Sequence, residues 1–205
     1  HFWGVRGANA TPLTNSELKS RIRIALPKAI EVGLSDISKV PEFVEGLPWH
    51  IGRTVGGDTS CVEVEAGGEL LLLDAGTGIR TLGLDLMRRH NSNSLNAHII
   101  LSHTHWDHIC GFPFFVPAYI SGNKITFYSS HGMLESRLRH QQDSEYFPVS
   151  LDAMAADIQF VQLKKQGRFN IGEVEIGTFP LNHPGGCFAY RISHNGKTVV
   201  YATDS

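Results

Sequence analysis

The sequence predicts a layered α/β domain, and three observations lead there. Strand and helix signals alternate from Gly56 onward, the runs Leu70–Leu73 and Ala97–Leu101 are apolar throughout, and Asn195-Gly196 separates two strand-like stretches. A strand with no polar face belongs in a sheet covered on both sides. Asn-Gly is the favoured pair for a tight type I′ hairpin turn. Strands with intervening helices, together with a hairpin, pack as layers.

Taken in order, Phe2 to Val5 reads as a short strand that ends at Gly7. Residues 8–56 differ in character from the rest of the chain. Thr14 or Asn15 is placed to cap a helix from Glu17 to Leu26, with Ile22, Leu26 and Ile30 on one face. Pro27, Pro41 and Pro48 break this stretch into short pieces. We read about 12–50 as an insertion into one domain spanning 1–205, a surface excursion in preference to a lid. Cys61, Val62 and Val64 then lie in a partly alternating strand, and Ala66-Gly67-Gly68 is a turn. Asp74-Ala75-Gly76-Thr77-Gly78 opens a helix running to about Arg89. Lys124–Tyr128, Ile158–Leu163 and Val174–Phe179 read as strands, Met133–Gln142 as a helix, and 187–203 as the hairpin.

Composition bounds the function. With 205 residues the chain supports one sizeable core. A net charge of −2 leaves no electrostatic footprint for nucleic acid or anionic membrane, so a small-molecule substrate is expected. No run of about 18 apolar residues spans a membrane, and the start carries no signal-peptide pattern. Three cysteines, Cys61, Cys110 and Cys187, make no disulfide framework. They read as buried free thiols in a reducing cytoplasm. The oligomeric state stays open.

The chemistry lies in Ser102-His103-Thr104-His105-Trp106-Asp107-His108. Three imidazoles and a carboxylate come directly after a buried strand, and these are the ligands that zinc and similar divalent ions prefer. Adjacent Asp107 and His108 point differently from His103 and His105, so one ion cannot use all four well, and two ions resolve the geometry. Each then needs ligands from elsewhere. His183, in Leu181-Asn182-His183-Pro184-Gly185-Gly186, sits at a strand end. Asp204 ends Val199-Val200-Tyr201-Ala202-Thr203, read as a buried strand. Phe112, Pro113, Phe114, Phe115 and Tyr119 come after the cluster as an aromatic run. A helix burying its aromatic face accounts for them better than a wall for stacking a flat substrate. Cys110 is read as packing, not as a nucleophile.

Four motifs, H-T-H-W-D-H at 103–108, L-D-A-G-T-G at 73–78, N-H-P-G-G at 182–186 and Y-A-T-D at 201–204, resemble the metallo-β-lactamase superfamily. W-G-V-R-G at 3–7 and G-G-D-T-S-C at 56–61 are similar to a bacterial group allied to its phosphodiesterase branch. The resemblance implies a four-layer αββα sandwich with metals at one edge of its packed sheets. It places His103, His105 and His183 on a first ion, Asp107 and His108 on a second, and Asp204 between them. It places Asp74 behind the ligands, orienting an imidazole by accepting its N–H; capping the next helix is the other role open to Asp74. Family members usually supply one more histidine after the bridging aspartate. The chain stops at Ser205, so the C-terminal part of the domain is expected to be missing.

The implied activity is metal-dependent hydrolysis through a hydroxide bridging two divalent ions, Zn2+ in the first place and Mn2+ or Fe as alternatives, with Asp107 as a proton relay. A phosphodiester in a nucleotide or similar small molecule is the leading substrate. Carboxylic ester, lactone or thioester hydrolysis, and a non-catalytic metal-binding module, remain open beside it.

Overall fold

The computed structural model describes residues 1–54, 56–90 and 94–205. It divides into two compact units, one of His1–Ala10 with Asp58–Ser205 and one of Thr11–Gly57. The strands are β1 Phe2–Gly4, β2 Cys61–Ala66, β3 Glu69–Leu73, β4 Asn96–Ile100, β5 Lys124–Ser129, β6 Asp157–Gln162, β7 Gly167–Ile171, β8 Val174–Leu181, β9 Cys187–His194 and β10 Lys197–Tyr201. The α-helices are α1 Asn15–Glu31, α2 Val40–Glu45, α3 Trp49–Gly52, α4 Gly78–Arg89, α5 Trp106–Ile109 and α6 Leu134–Gln141. Among the described residues no helix is long and apolar enough to cross a membrane.

The smaller unit covers the predicted insertion and extends past it to Gly57. Its main helix is longer than expected. Thr14 caps it in a capping box, its hydroxyl accepting from the Glu17 N–H while Glu17 Oε2 accepts from the Thr14 N–H. The helix then continues through Pro27 to Glu31, so Pro27 does not break it. Pro41 and Pro48 sit instead at the starts of α2 and α3, where a missing N–H leaves no bond unmade.

In the larger unit six strands form one sheet in the order β1-β2-β3-β4-β5-β6, with β3 to β6 parallel. Four antiparallel strands form a second, in the order β10-β9-β8-β7. Successive side chains of a strand point to opposite faces, and the core divides accordingly. Leu70 and Leu72 of β3, with Ile99 of β4, pack with Ile79, Leu82 and Leu86 of α4. Leu71, Leu73 and Ile100 pack with Val174, Ile176, Phe188, Tyr190 and Ile192 of the second sheet. Helices, first sheet and second sheet thus form successive layers of a metallo-β-lactamase-like α/β fold, and the apolar strands are those buried on both faces.

Two strands differ from expectation. β7 is an added strand: Gly167-Arg168-Phe169-Asn170-Ile171 is half polar and, among the described residues, pairs with β8 alone, so it carries no strong apolar signal. The strand before Asp204 ends at Tyr201 and is not buried, with Val199 and Val200 largely exposed. Among the described residues it is the edge of the second sheet, paired with β9 alone. The hairpin turn is as predicted, Asn195 and Gly196 both having positive φ (47° and 71°).

Leu72 is fully buried between the first sheet and α4. Leu72→Ala is expected to lower unfolding stability by about 2–5 kcal/mol, measured by urea denaturation. A loss under about 1 kcal/mol would show that this core relaxes around the cavity.

Candidate metal centre

Every sequence-selected site residue lies just beyond a strand. Parallel β3 and β4 end side by side, delivering Asp74 and the 102–108 loop to the same sheet edge. His183 comes after β8 and Asp204 after β10. Backbone bonds stitch the segments together. The Asp74 N–H donates to Ile100 O, the Ala75 N–H to His108 O, and the Gly111 N–H to Ala75 O. The Phe188 N–H donates to Ser102 O, which ties the second sheet to the loop. The close approach is why glycines stand here. A Cβ on Gly111 would overlap the Gly76 carbonyl, and one on Gly76 would overlap the carbonyl of Asp107.

The ligand-type atoms converge. His103 Nε2 lies 3.0 Å from His105 Nδ1, which lies 3.1 Å from His183 Nε2. Asp204 Oδ2 is 3.6 Å from His183 Nε2 and 3.9 Å from His103 Nε2. His108 Nε2 is 3.3 Å from Asp107 Oδ2 and 3.5 Å from Asp204 Oδ1. Two three-residue groups result, His103 with His105 and His183, and His103 with His108 and Asp204. Asp107 touches His108 but belongs to neither, and its Oδ2 accepts the Ala8 N–H at 2.7 Å.

Asp74 does not cap α4, whose N-cap residue is Thr77. It is fully buried and accepts four hydrogen bonds, each 2.7 Å: from the Ser102 N–H and hydroxyl, from His108 Nδ1, and from the Tyr201 hydroxyl. The network sets the imidazole tautomers. Because the Ser102 hydroxyl donates to Asp74, its oxygen accepts from His103 Nδ1 at 3.0 Å. His103 therefore carries its proton on Nδ1 and turns its Nε2 lone pair inward, and His108 does the same in its neutral form. Burial, and then the neighbouring His108, push the His103 pKa down to about 4, which keeps it neutral. Burial also pushes His108 down, but the Asp74 hydrogen bond and the surrounding carboxylates outweigh it and hold its pKa above the usual value.

Lone pairs 3.0–3.9 Å apart suit a cation between them. With Zn–N bonds of about 2.0–2.1 Å, tetrahedral ligand atoms stand roughly 3.3 Å from one another. His108 Nε2 is buried and has no hydrogen-bond partner among the described residues. The donor set and its spacing fit a divalent ion.

Sequence reasoning missed the supports: Ser102 and Tyr201 on Asp74, and the Ala8 N–H on Asp107. Ser102 adjoins the histidine cluster and Tyr201 opens the Y-A-T-D motif, but nothing in a motif says where a hydroxyl points. The aromatic run is largely core, with Phe112 and Phe115 fully buried and only Phe114 markedly exposed. Pro113 and Pro117 divide it into two 3-10 turns, 112–114 and 116–119, in place of the expected helix. Cys61 and Cys187 are buried free thiols, while Cys110 is only half-buried, with Sγ 3.9 Å from Thr59 Oγ1.

Packed sheets with imidazoles and carboxylates gathered beyond their strand ends define a metallo-β-lactamase-like domain. The chain belongs to the β-lactamase superfamily: the family model described as "Beta-lactamase superfamily domain" matches residues 70–205. The metallo-β-lactamase fold protein YhfI from Bacillus subtilis is 20% identical, with a TM-score of 0.52 over 78% of this chain and 58% of that one. Human tRNase Z, short form, is 19% identical, with a TM-score of 0.49 over 69% and 61%. A metallo-β-lactamase from Cronobacter sakazakii is 18% identical, with a TM-score of 0.47 over 71% and 57%. This chain spans about three fifths of the length of each. No curated protein matches it in sequence.

Asp74→Asn would turn an amide N–H2 toward donors that now meet a carboxylate. It is expected to cost on the order of 3 kcal/mol in urea denaturation of the metal-free protein. Unchanged stability would show that the four bonds are not sustained in solution.

Proposed function

We propose that this chain is a metal-dependent hydrolase that cleaves a phosphodiester bond in a nucleotide or similar small substrate. The observation that carries the reading is the convergence of His103, His105, His183 and Asp204 with ligand atoms 3.0–3.9 Å from their neighbours. Those residues would hold one divalent ion. His108 and Asp107 would hold a second, with Asp204 in reach of both groups. Zn2+ suits imidazole and carboxylate ligands best, with Mn2+ or Fe as alternatives.

Ions bound there supply Lewis acidity and bring the pKa of water near neutrality. The chain supplies the rest. Asp74 and Ser102 keep His108 and His103 oriented with their lone pairs inward, which spares the site reorganisation during the reaction. Asp107, steadied by the Ala8 N–H, would serve as the proton relay to the leaving group. Charge supports an anionic substrate. Two dications would outweigh the two carboxylates that face the ligand atoms, Asp107 and Asp204, and so draw an anionic group toward the centre before a bound hydroxide is counted. The free thiols of Cys61, Cys110 and Cys187 support a reducing, cytoplasmic setting.

The test is turnover of bis(p-nitrophenyl) phosphate and p-nitrophenyl acetate by the complete protein loaded with Zn2+ or Mn2+. Phosphodiester cleavage is expected, abolished by chelation and reduced more than about a hundredfold by His105→Ala. Turnover of the acetate alone would move the reading to carboxylic esters. Tight metal binding with no turnover of either would leave a non-catalytic metal module.

A further inference from the structure

Two residues of the 103–108 loop, Thr104 and Trp106, interspersed in sequence with His103, His105 and Asp107, line a cavity of about 400 Å3. Met133, Arg137 and Tyr146, from α6 and its flanks, line it too. The volume is in the range of small-molecule sites. Two bonds brace α6 against the loop. Arg137 Nη1 donates to Thr104 Oγ1 at 2.7 Å, and Gln141 Nε2 donates to the Ile109 carbonyl at 2.9 Å.

Three large side chains around this cavity face water. Trp106 is 75% exposed, Met133 77% and Tyr146 70%. A lone exposed apolar residue is ordinary, but three around one cavity form a patch that a ligand can cover. Arg137 adds charge: among the described residues it has no carboxylate within ion-pair distance, only the Thr104 hydroxyl.

We propose that this cavity seats a flat heteroaromatic ring of nucleobase size, packed against Trp106 and Tyr146, while Arg137 holds a phosphoryl oxygen of the same substrate. The proposal rests on phosphodiester cleavage at the adjoining metal centre, and it narrows the substrate to a nucleotide-type phosphodiester. Stacking on Trp and Tyr faces gives affinity with little sequence preference. The guanidinium fork suits phosphate oxygens better than a point charge does. The stacking surface is then Trp106 of the metal loop with Tyr146 beyond α6, not the aromatic run after the loop.

Two phosphodiesters with the same leaving group test this, thymidine 5′-(p-nitrophenyl phosphate) and ethyl p-nitrophenyl phosphate. With the metal-loaded protein, kcat/KM is expected to favour the thymidine ester by at least about tenfold, the order that stacking supplies. Tyr146→Ala and Arg137→Gln, both at exposed positions, should each reduce that ratio by about fivefold or more. Separately, thymidine 5′-monophosphate is titrated into the metal-free protein. Quenching of Trp106 emission, taken by difference from Trp106→Phe, should saturate and should weaken in Tyr146→Ala. If no Trp106 quenching develops up to millimolar nucleotide, or if Tyr146→Ala alters neither ratio nor quenching, the cavity assignment is overturned. If neither ester is cleaved while Trp106 is still quenched, phosphodiester hydrolysis fails and the cavity assignment stands.

Discussion

A buried carboxylate must be surrounded by donors, because leaving its charge unmet in a dry interior costs several kcal/mol. Asp74 meets this demand with four hydrogen bonds drawn from two distant stretches of chain, the 102–108 loop and Tyr201. To place it there the backbone takes a left-handed conformation, φ +60°, which a non-glycine residue adopts at a cost of about 1 kcal/mol or more. The orientation of two imidazoles and the approach of β10 to the loop then result from satisfying that one anion. Ser102 extends the same control to His103, so a single group sets two inward-facing lone pairs.

The layered architecture gives that arrangement its rigidity. Each ligand-bearing segment leaves a strand held on both faces or paired along its length. Packing against α4 holds one side of β3 and β4, and the second sheet holds the other. The ends of such strands move little, whereas the loops beyond them are free to carry chemistry. Tyr190 contributes from the second sheet: fully buried, its hydroxyl donates to the Leu101 carbonyl just before the loop begins.

The features legible in the sequence, and those hidden from it, divide along physical lines. Strands buried on both faces announced themselves, because burial forces an unbroken apolar run, as in Leu70–Leu73. The metal-type residues were legible because their chemistry is unusual and their spacing dense. β7 was hidden because an edge strand has few apolar obligations. Pro27 misled because the helix begun by the capping box at Thr14 continues through a proline that a propensity scale disfavours. The hydroxyls of Ser102 and Tyr201 were invisible as supports, since their role depends on Asp74, 28 and 127 residues away. Likewise the exposed faces of Trp106 and Tyr146 emerge only once α6 lies beside the loop.

Such distances along the chain bear on how the molecule assembles. The bond between Tyr201 and Asp74 closes a loop of 127 residues, and contacts of that span reward the chain only after the entropy of closure has been met. The parallel strands β3 to β6 add further non-local pairings. The centre is therefore absent from any partly folded species that lacks the second sheet, whose strands carry His183 and Asp204 to it. A cation captured by it would favour the native state alone, shifting the folding equilibrium by mass action instead of guiding the early steps.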